Sequence, residues 1–533
     1  MVLSNLSKTS RCLRSLDRKA QERAPLFEAI RHYCSLDKAP FHTPGHKQGR
    51  GIPADLRTFL GENVFRADLT ELPEVDNLHD PDGVIREAQE LAAAAYGADR
   101  SWFLVNGSTC GVETLVMAVC DPGDKILLPR NCHKSAIAGV ILSGAVPAYI
   151  EPDFDPELGI AHGITPAGLE GALAEHPDAK GVLVVSPTYY GVCCDVQALA
   201  SIAHAHGLPL LVDEAHGPHF GFHSELPISA LEAGADLVVQ STHKVISGMT
   251  QASLLHLQGS RIDPNRVRNI LQLLQSTSPS YVLMMSLDVA RRQMALEGEA
   301  LLGQALALAD QARARLNRIP GLRCFGPERI GSTPGFFDFD RTRLTVTVTE
   351  LGLFGFDAHD WVNDHFHVQP EMSTLHNVVF IVSIGNTQRD IDRLVESFAA
   401  LSQHFQGSRP SRAAMEKMQR LAQLPRPCLP PQRLSPREAF FAPIQRVPFQ
   451  EAVGHICAEI ISPYPPGIPI LVPGEEVTQE AVNYLLLVHE AGGFINGPED
   501  VRLQTLKVVK ATAKSTPAGL WTGFCRLRWG EQR

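Results

Sequence analysis

The sequence predicts an α/β protein whose main body is a mostly parallel sheet covered by helices on both faces. Two observations carry this. Between about residues 98 and 240, short β-like apolar runs alternate with helical patterns, and that rhythm is the signature of βαβ units. Several of those runs are continuously apolar, as strands buried on both faces must be.

The runs come in order. Residues 101–105, 125–129, 148–150, 181–186, 208–213 and 237–240 read as strands. Residues 110–120 and 195–206, lying between them, have helical spacing. A long helical tract, 284–316, follows. It leads to a smaller α/β unit in which 343–350 and 378–384 read as strands. From 406 to 437 the chain is rich in Pro, Arg and Ser, which is a linker composition. The expected division is an N-terminal extension (1–34), a large domain (35–300), a small α/β domain (301–405), the linker (406–437) and a C-terminal α+β domain (438–533).

Length and composition agree with a multidomain globular chain. At 533 residues, about three domains are expected. With 44% hydrophobic and 20% charged residues, the chain can bury its cores without disulfide staples. The net charge is −10, and no basic stripe interleaved with aromatics suggests a nucleic-acid partner. No apolar run reaches the roughly 18 residues of a membrane span. Eleven cysteines, an odd number without a C-x-x-C pair, suit a reducing compartment, so a cytoplasmic location is expected. Lys8, Arg11, Arg14, Arg18 and Lys19 stand among serines with one acid, Asp17. A transit peptide and a frayed basic extension both fit that pattern.

Four segments bear chemistry, and each has a bland alternative. Lys244, in Ser241-Thr242-His243-Lys244, stands just past a buried strand, where a partly desolvated amine becomes a nucleophile; the alternative is a solvated lysine. Asp213 closes the apolar run Pro209-Leu210-Leu211-Val212, at the strand end where open α/β sheets bind ligands. A carboxylate there suits the protonated ring nitrogen of a pyridine cofactor, but it is also a common cap. Asn106-Gly107-Ser108-Thr109 runs from a strand into a helix, whose N-terminus favours phosphate; the alternative is a simple N-cap. His133 follows another strand and can stack on a flat ring, or simply fill a loop. Their order on strands of one sheet is the signal. A competing metal reading of His204, His206, His216, His219 and His223 lacks the H-E-x-x-H pattern, and Gly217, Pro218 and Gly221 break any helix that would align the rings.

These residues and others give the chain a resemblance to the Orn/Lys/Arg decarboxylases. The matching stretches are Phe41-His42-Thr43-Pro44-Gly45-His46-Lys47, Asp68-Leu69-Thr70-Glu71 with Asp76 and Leu78, and Asn106-Gly107-Ser108-Thr109. Asp213-Glu214-Ala215-His216-Gly217 and Ser241-Thr242-His243-Lys244 with Gln251, Ser253 and His256 also match. So do Ser276-Thr277-Ser278-Pro279-Ser280-Tyr281 and, near the end, residues 461–469 with Pro473-Gly474-Glu475. The chain resembles a short form, without the receiver-like N-terminal domain of longer members.

The resemblance implies a fold-type-I pyridoxal-5′-phosphate (PLP) enzyme that decarboxylates a basic L-amino acid. Arginine, giving agmatine for polyamine biosynthesis, is the first expectation; lysine and then ornithine follow. An aminotransferase is the alternative of another class. Lys244 would carry PLP, Asp213 would pair with the ring nitrogen, His133 would stack on the ring and Ala215 would pack against its other face. Ser108, Thr109, Ser241 and His243 would hold the phosphate. Thr277 or Ser278 would reach the phosphate of the neighbouring subunit, making a homodimer the minimal active unit. Glu371 and His46 would line the substrate pocket. His216 would form part of the cofactor wall, at a position where longer members have an aromatic residue.

Overall fold

In the computed structural model, residues 16–406, 429–464 and 467–510 are described. The basic residues Lys8, Arg11 and Arg14, and most of the expected linker, lie outside them.

Seven strands form the main sheet: β1 (Arg100–Leu104), β2 (Lys125–Pro129), β3 (Val146–Ile150), β4 (Ala179–Val185), β5 (Leu210–Asp213), β6 (Leu237–Gln240) and β7 (Ser253–Leu257). Their order is β1-β7-β6-β5-β4-β2-β3. Strands β2 to β6 are joined by parallel pairings, and β7 runs antiparallel to both β6 and β1. The bounds of β2 and β6 coincide with those expected from sequence. Strand β7 was not anticipated. It carries Ser253 and His256 among its leucines, and these interrupt the apolar run by which its neighbours are read.

Alternation places the two faces of this sheet in separate cores. Leu210, Val212 and Val238 point into one, and Leu211, Leu237 and Val239 into the other, as a period of two requires. Helices α1 (Gly107–Val119) and α2 (Lys134–Ser143) pack on the second core. Helix α3 (Tyr281–Leu316) contributes Tyr281, Met284 and Leu287 to the first core, and Leu308, Ala312 and Leu316 to a third.

That third core lies under an antiparallel sheet ordered β8-β9-β11-β10, formed by β8 (Arg323–Cys324), β9 (Arg343–Thr347), β10 (Met372–Ser373) and β11 (Asn377–Ile381). Helix α4 (Gln388–Gln406) covers it. A fourth core gathers Phe449, Ile461, Leu471, Leu485 and Val508 around the ribbon of β12 (Ile444–Pro448) and β15 (Thr505–Val509). The antiparallel pair β13 (Ser462–Tyr464) and β14 (Phe494–Asn496) and helix α5 (Gln479–Glu490) complete that unit. Among the described residues, no helix is long and apolar enough to cross a membrane.

Candidate active site

The parallel strands end on one edge of the sheet, and the side chains that follow them converge on a cleft. Its walls are Ser108, Val112, His133, Ser135, Val185, Pro187, Tyr189, Asp213, Ala215, His216 and Lys244. The cleft encloses about 420 Å³, including space open to solvent, within the range of small-ligand sites. Six of the residues expected from sequence therefore meet here: Ser108, His133, Asp213, Ala215, His216 and Lys244.

Each is placed by its element. Asp213 is the last residue of β5, and it is buried. Its Oδ1 accepts the Ala215 N–H at 3.1 Å. Burial pushes its carboxyl up, and the Lys244 charge opposes that rise. Lys244 sits in a single helical turn, Thr242–Val245, directly after β6. Burial drives its amine down to about 8; Asp213 resists and Arg343 adds to the fall. Such an amine is partly unprotonated near neutrality, as a nucleophilic lysine must be.

His133 caps α2. Its Nδ1 accepts the Ser135 N–H at 3.3 Å and lies 2.8 Å from Ser135 Oγ, so the ring orientation is fixed. Burial, with Lys244 and Lys134, pushes it down to about 4, leaving a neutral flat ring. Gly107 opens α1 at φ +75°, a left-handed conformation natural to glycine. A Cβ built there would meet nothing nearer than Gln251 O at 3.9 Å, so the approach to the helix N-terminus is open. Beside it, Ser241 Oγ donates to Ser108 Oγ at 2.8 Å, tying the loop after β6 to the start of α1.

The other expected residues lie off the cleft wall. Thr109 is exposed. His243 bonds through Nδ1 to Ala252 O at 3.0 Å. Thr277 and Ser278 are exposed in the single chain. His46 pairs through Nε2 with Asp68 at 3.1 Å, and its Nδ1 accepts the Gly49 N–H. Glu371 is exposed, yet its charge raises the proton affinity of Lys244, His243 and Arg343, so it stands near the site. The histidines weighed as metal ligands are separately engaged: His204 with Asp236, His219 with Asp340, and His216 with Lys244 and Arg343.

Two participants escaped the sequence reading. Tyr189 follows β4, and its ring lies 4.7 Å from that of His216 and 5.8 Å from Lys244 Nζ. Its position after a parallel strand was a usable signal. Arg343 opens β9 in the second sheet and is fully buried. Gly191 lets the Tyr189 loop lie on its stem, since a Cβ there would come within 2.9 Å of Arg343 Cβ.

Comparison with known proteins identifies the family. Residues 24–390 match the Orn/Lys/Arg decarboxylase major domain, and residues 414–499 match the C-terminal domain of the same family. The chain belongs to the Orn/Lys/Arg decarboxylase family. It is 44% identical over 491 residues to an arginine decarboxylase of Bacillus subtilis, covering 92% of this chain and 99% of that one. It is 26% identical to a lysine decarboxylase of Pseudomonas aeruginosa, over 86% of this chain and 75% of that one. Its fold is that of the Francisella novicida lysine decarboxylase, with a TM-score of 0.80 at 24% identity, covering 92% and 82% of the two chains. This member of the Orn/Lys/Arg decarboxylases is thus a PLP-dependent decarboxylase of basic amino acids with the fold-type-I architecture.

Proposed function

We propose that this decarboxylase binds PLP through Lys244 and converts L-arginine to agmatine and CO2. The observation that carries the reading is the meeting of a lowered lysine amine and a buried carboxylate, Lys244 and Asp213, in one cleft at the strand ends. The donor set fits the cofactor: an amine for its aldehyde, an acid for its ring nitrogen, a neutral imidazole and a small Ala215 beside its ring, and hydroxyls at an open helix N-terminus for its phosphate. When bound, PLP supplies the electron sink for the pair left on Cα as CO2 departs.

The chain's own groups do the rest. Asp213, unfavourable as a lone buried anion, is stabilised by a cationic ring N–H and keeps the proton there. Ser108 and Ser241, with Thr109 and His243 close by, hold the phosphate. Lys244 would hold PLP, and its amine would also be placed to hold the proton destined for Cα. Glu371, with His46 as a further candidate, faces the distal cation of the substrate. Thr277 and Ser278, exposed in one chain, are assigned to the neighbouring subunit's phosphate in a homodimer, working in the cytoplasm.

Arginine is preferred because four relatives named arginine decarboxylase share 42–44% identity with this chain, whereas two relatives named lysine decarboxylase, and one further arginine decarboxylase, share 24–26%. Incubating the holoenzyme separately with arginine, lysine and ornithine, and identifying the amine formed, tests the assignment. Cadaverine or putrescine as the main product would overturn the substrate. A pyridoxamine product without CO2 would overturn the reaction class.

A further inference from the structure

The imidazole of His216 lies between two nitrogen groups. Lys244 Nζ is 2.9 Å from its Nε2. Arg343 Nη2 is 3.2 Å from its Nδ1, and also donates to the His216 carbonyl oxygen at 3.0 Å. A guanidinium has donors only. Nδ1 must therefore be the acceptor. A neutral imidazole has one acceptor nitrogen and one N–H, so the proton resides on Nε2. The imidazolium is disfavoured, because it would aim an N–H at the guanidinium of a fully buried arginine. The Nε2–H then points at Nζ. Only the unprotonated amine has a lone pair to accept it.

We propose that Arg343 is a positioning residue: it selects the Nε2–H tautomer of His216, and through that ring favours the free amine of Lys244 over its ammonium. The inference deepens the assignment of Lys244 as the PLP-bearing residue and rests on it.

At its other nitrogens Arg343 is held less closely, and its buried Nε has no hydrogen-bond partner among the described residues. Asp340 Oδ2 lies 4.0 Å from Nη1, and Thr342 Oγ1 accepts from Nη1 at 3.4 Å. Asp340 in turn is held by His219 at 3.3 Å and by the Thr342 N–H and hydroxyl at 3.0 and 2.7 Å. Because one guanidinium nitrogen binds both the carbonyl and the ring of His216, the ring cannot turn without breaking a contact. The charged and titratable groups acting on Lys244 are Asp213 and Glu371, which favour its ammonium, and Arg343, which opposes it; His133 and His243 are depressed by the lysine's own charge. A lysine can bond to a carbonyl carbon only as the free amine.

The test uses apoenzyme carrying 15N-labelled histidine, with His216 assigned by its loss in H216N. The expected spectrum shows a pyrrole-type nitrogen at Nε2 and a pyridine-type nitrogen at Nδ1 at about pH 9, above the value of about 8 at which the Lys244 amine loses its proton. In R343M the two should exchange or average, and R343K, which keeps a donor, should restore the original pattern. In parallel, acetylation of Lys244 at neutral pH, read against bystander lysines by peptide mass, should slow about tenfold in R343M for each unit its pKa rises. A wild-type spectrum with the proton on Nδ1 overturns the proposal without any variant. So does an R343M protein that keeps the wild-type tautomer and shows only a raised KM, as a direct contact to the substrate carboxylate would. The tautomer and acetylation readouts need no cofactor, so they stand apart from the question of whether PLP is attached at Lys244; only the KM comparison uses the holoenzyme.

Discussion

Arg130 and Glu475 join the main sheet to the C-terminal unit inside the protein: Arg130 Nη2 donates to Glu475 Oε2 at 3.0 Å, and Glu475 is fully buried. The same nitrogen donates to Ile470 O at 3.0 Å, and the guanidinium stacks over Tyr149 at 4.9 Å. Glu475 Oε2 also accepts the Val472 N–H. Arg130 directly follows β2 and precedes His133 by three positions, so this pair ties the C-terminal unit to the loop carrying His133, which lines the cleft. Removing one partner of a buried pair strands the other. Glu475→Ala should therefore cost about 3–5 kcal/mol of stability, read from the denaturation midpoint. Replacing both residues by apolar ones should cost much less. Equal losses in the single and double variants would show that the pair itself is not the source.

The lysine assignment predicts a chemical trap. Borohydride treatment of the holoenzyme should fix PLP on the peptide containing Lys244, and K244A should fold but retain no covalently fixed cofactor. Because burial lowers the amine to about 8, its acylation in the apoenzyme should be half-maximal near that pH rather than near the 10.5 of a free lysine. Labelling on another lysine peptide would displace Lys244 from the role.

Asp213 should matter to rate more than to folding. If its loss costs the transition state about 3–5 kcal/mol, as in buried ion pairs, D213A would slow turnover by roughly 10²–10³-fold or more. Stopped-time CO2 release with saturating cofactor measures this. Near-normal turnover would remove Asp213 from the ring nitrogen.

Acid should destabilise the apoprotein well above the carboxylate range. His256 is fully buried, with Nδ1 2.7 Å from Ser101 Oγ and Nε2 3.2 Å from Gln240 Oε1. Burial lowers it to about 3. Between that value and about 6.5 the unfolded histidine binds a proton and the folded one does not, so stability falls as pH drops through this window. His216, lowered well below 6.5 by burial, Lys244 and Arg343, acts in the same direction. The urea midpoint should decline from about pH 7.5 to about pH 4.5, and H256Q should flatten the decline. An identical slope in that variant would place the proton uptake elsewhere.

Much of this geometry was legible because the parallel strands are largely apolar runs, and β5 and β6 end in the polar residues Asp213 and Gln240. Asp213 and Lys244 could be placed at strand ends from the pattern alone, and both do line the cleft. Strand β7 was hidden because Ser253 and His256 break its run of leucines, the His256 ring being engaged within the sheet by Ser101 and Gln240. Arg343 was hidden for a different reason. It lies 127 residues from His216, in another sheet, and a single arginine at the start of a strand has no local pattern. Only the packing of one sheet against the other's strand ends brings it to the site. Glu371 occupies an intermediate position. Its likeness to a family acid named it, and its electrostatic effect on Lys244 is the structural observation that retains it.

Substrate choice is the last prediction, and it turns on Glu371. The residue directly precedes β10, and its N–H donates to Val379 O at 3.0 Å, which anchors the backbone while the side chain stays exposed. Its negative charge is felt at Lys244, His243 and Arg343, which puts it within electrostatic range of the cleft and makes it the candidate partner for the substrate's distal cation. A guanidinium can take a carboxylate through two parallel N–H bonds, whereas an ammonium meets it as a point charge. Glu371→Gln keeps the shape and one acceptor but removes the charge. A hydrogen bond to a charged group contributes about 1.5–3 kcal/mol, so kcat/KM for arginine should fall about tenfold or more. The fall for lysine should be smaller, because only one contact is weakened. The visible spectrum of the bound cofactor should stay unchanged, separating loss of substrate recognition from loss of PLP. If kcat/KM for both substrates is unaltered with PLP retained, the distal cation is read by other residues, and the segment 463–469 of the C-terminal unit becomes the next place to substitute.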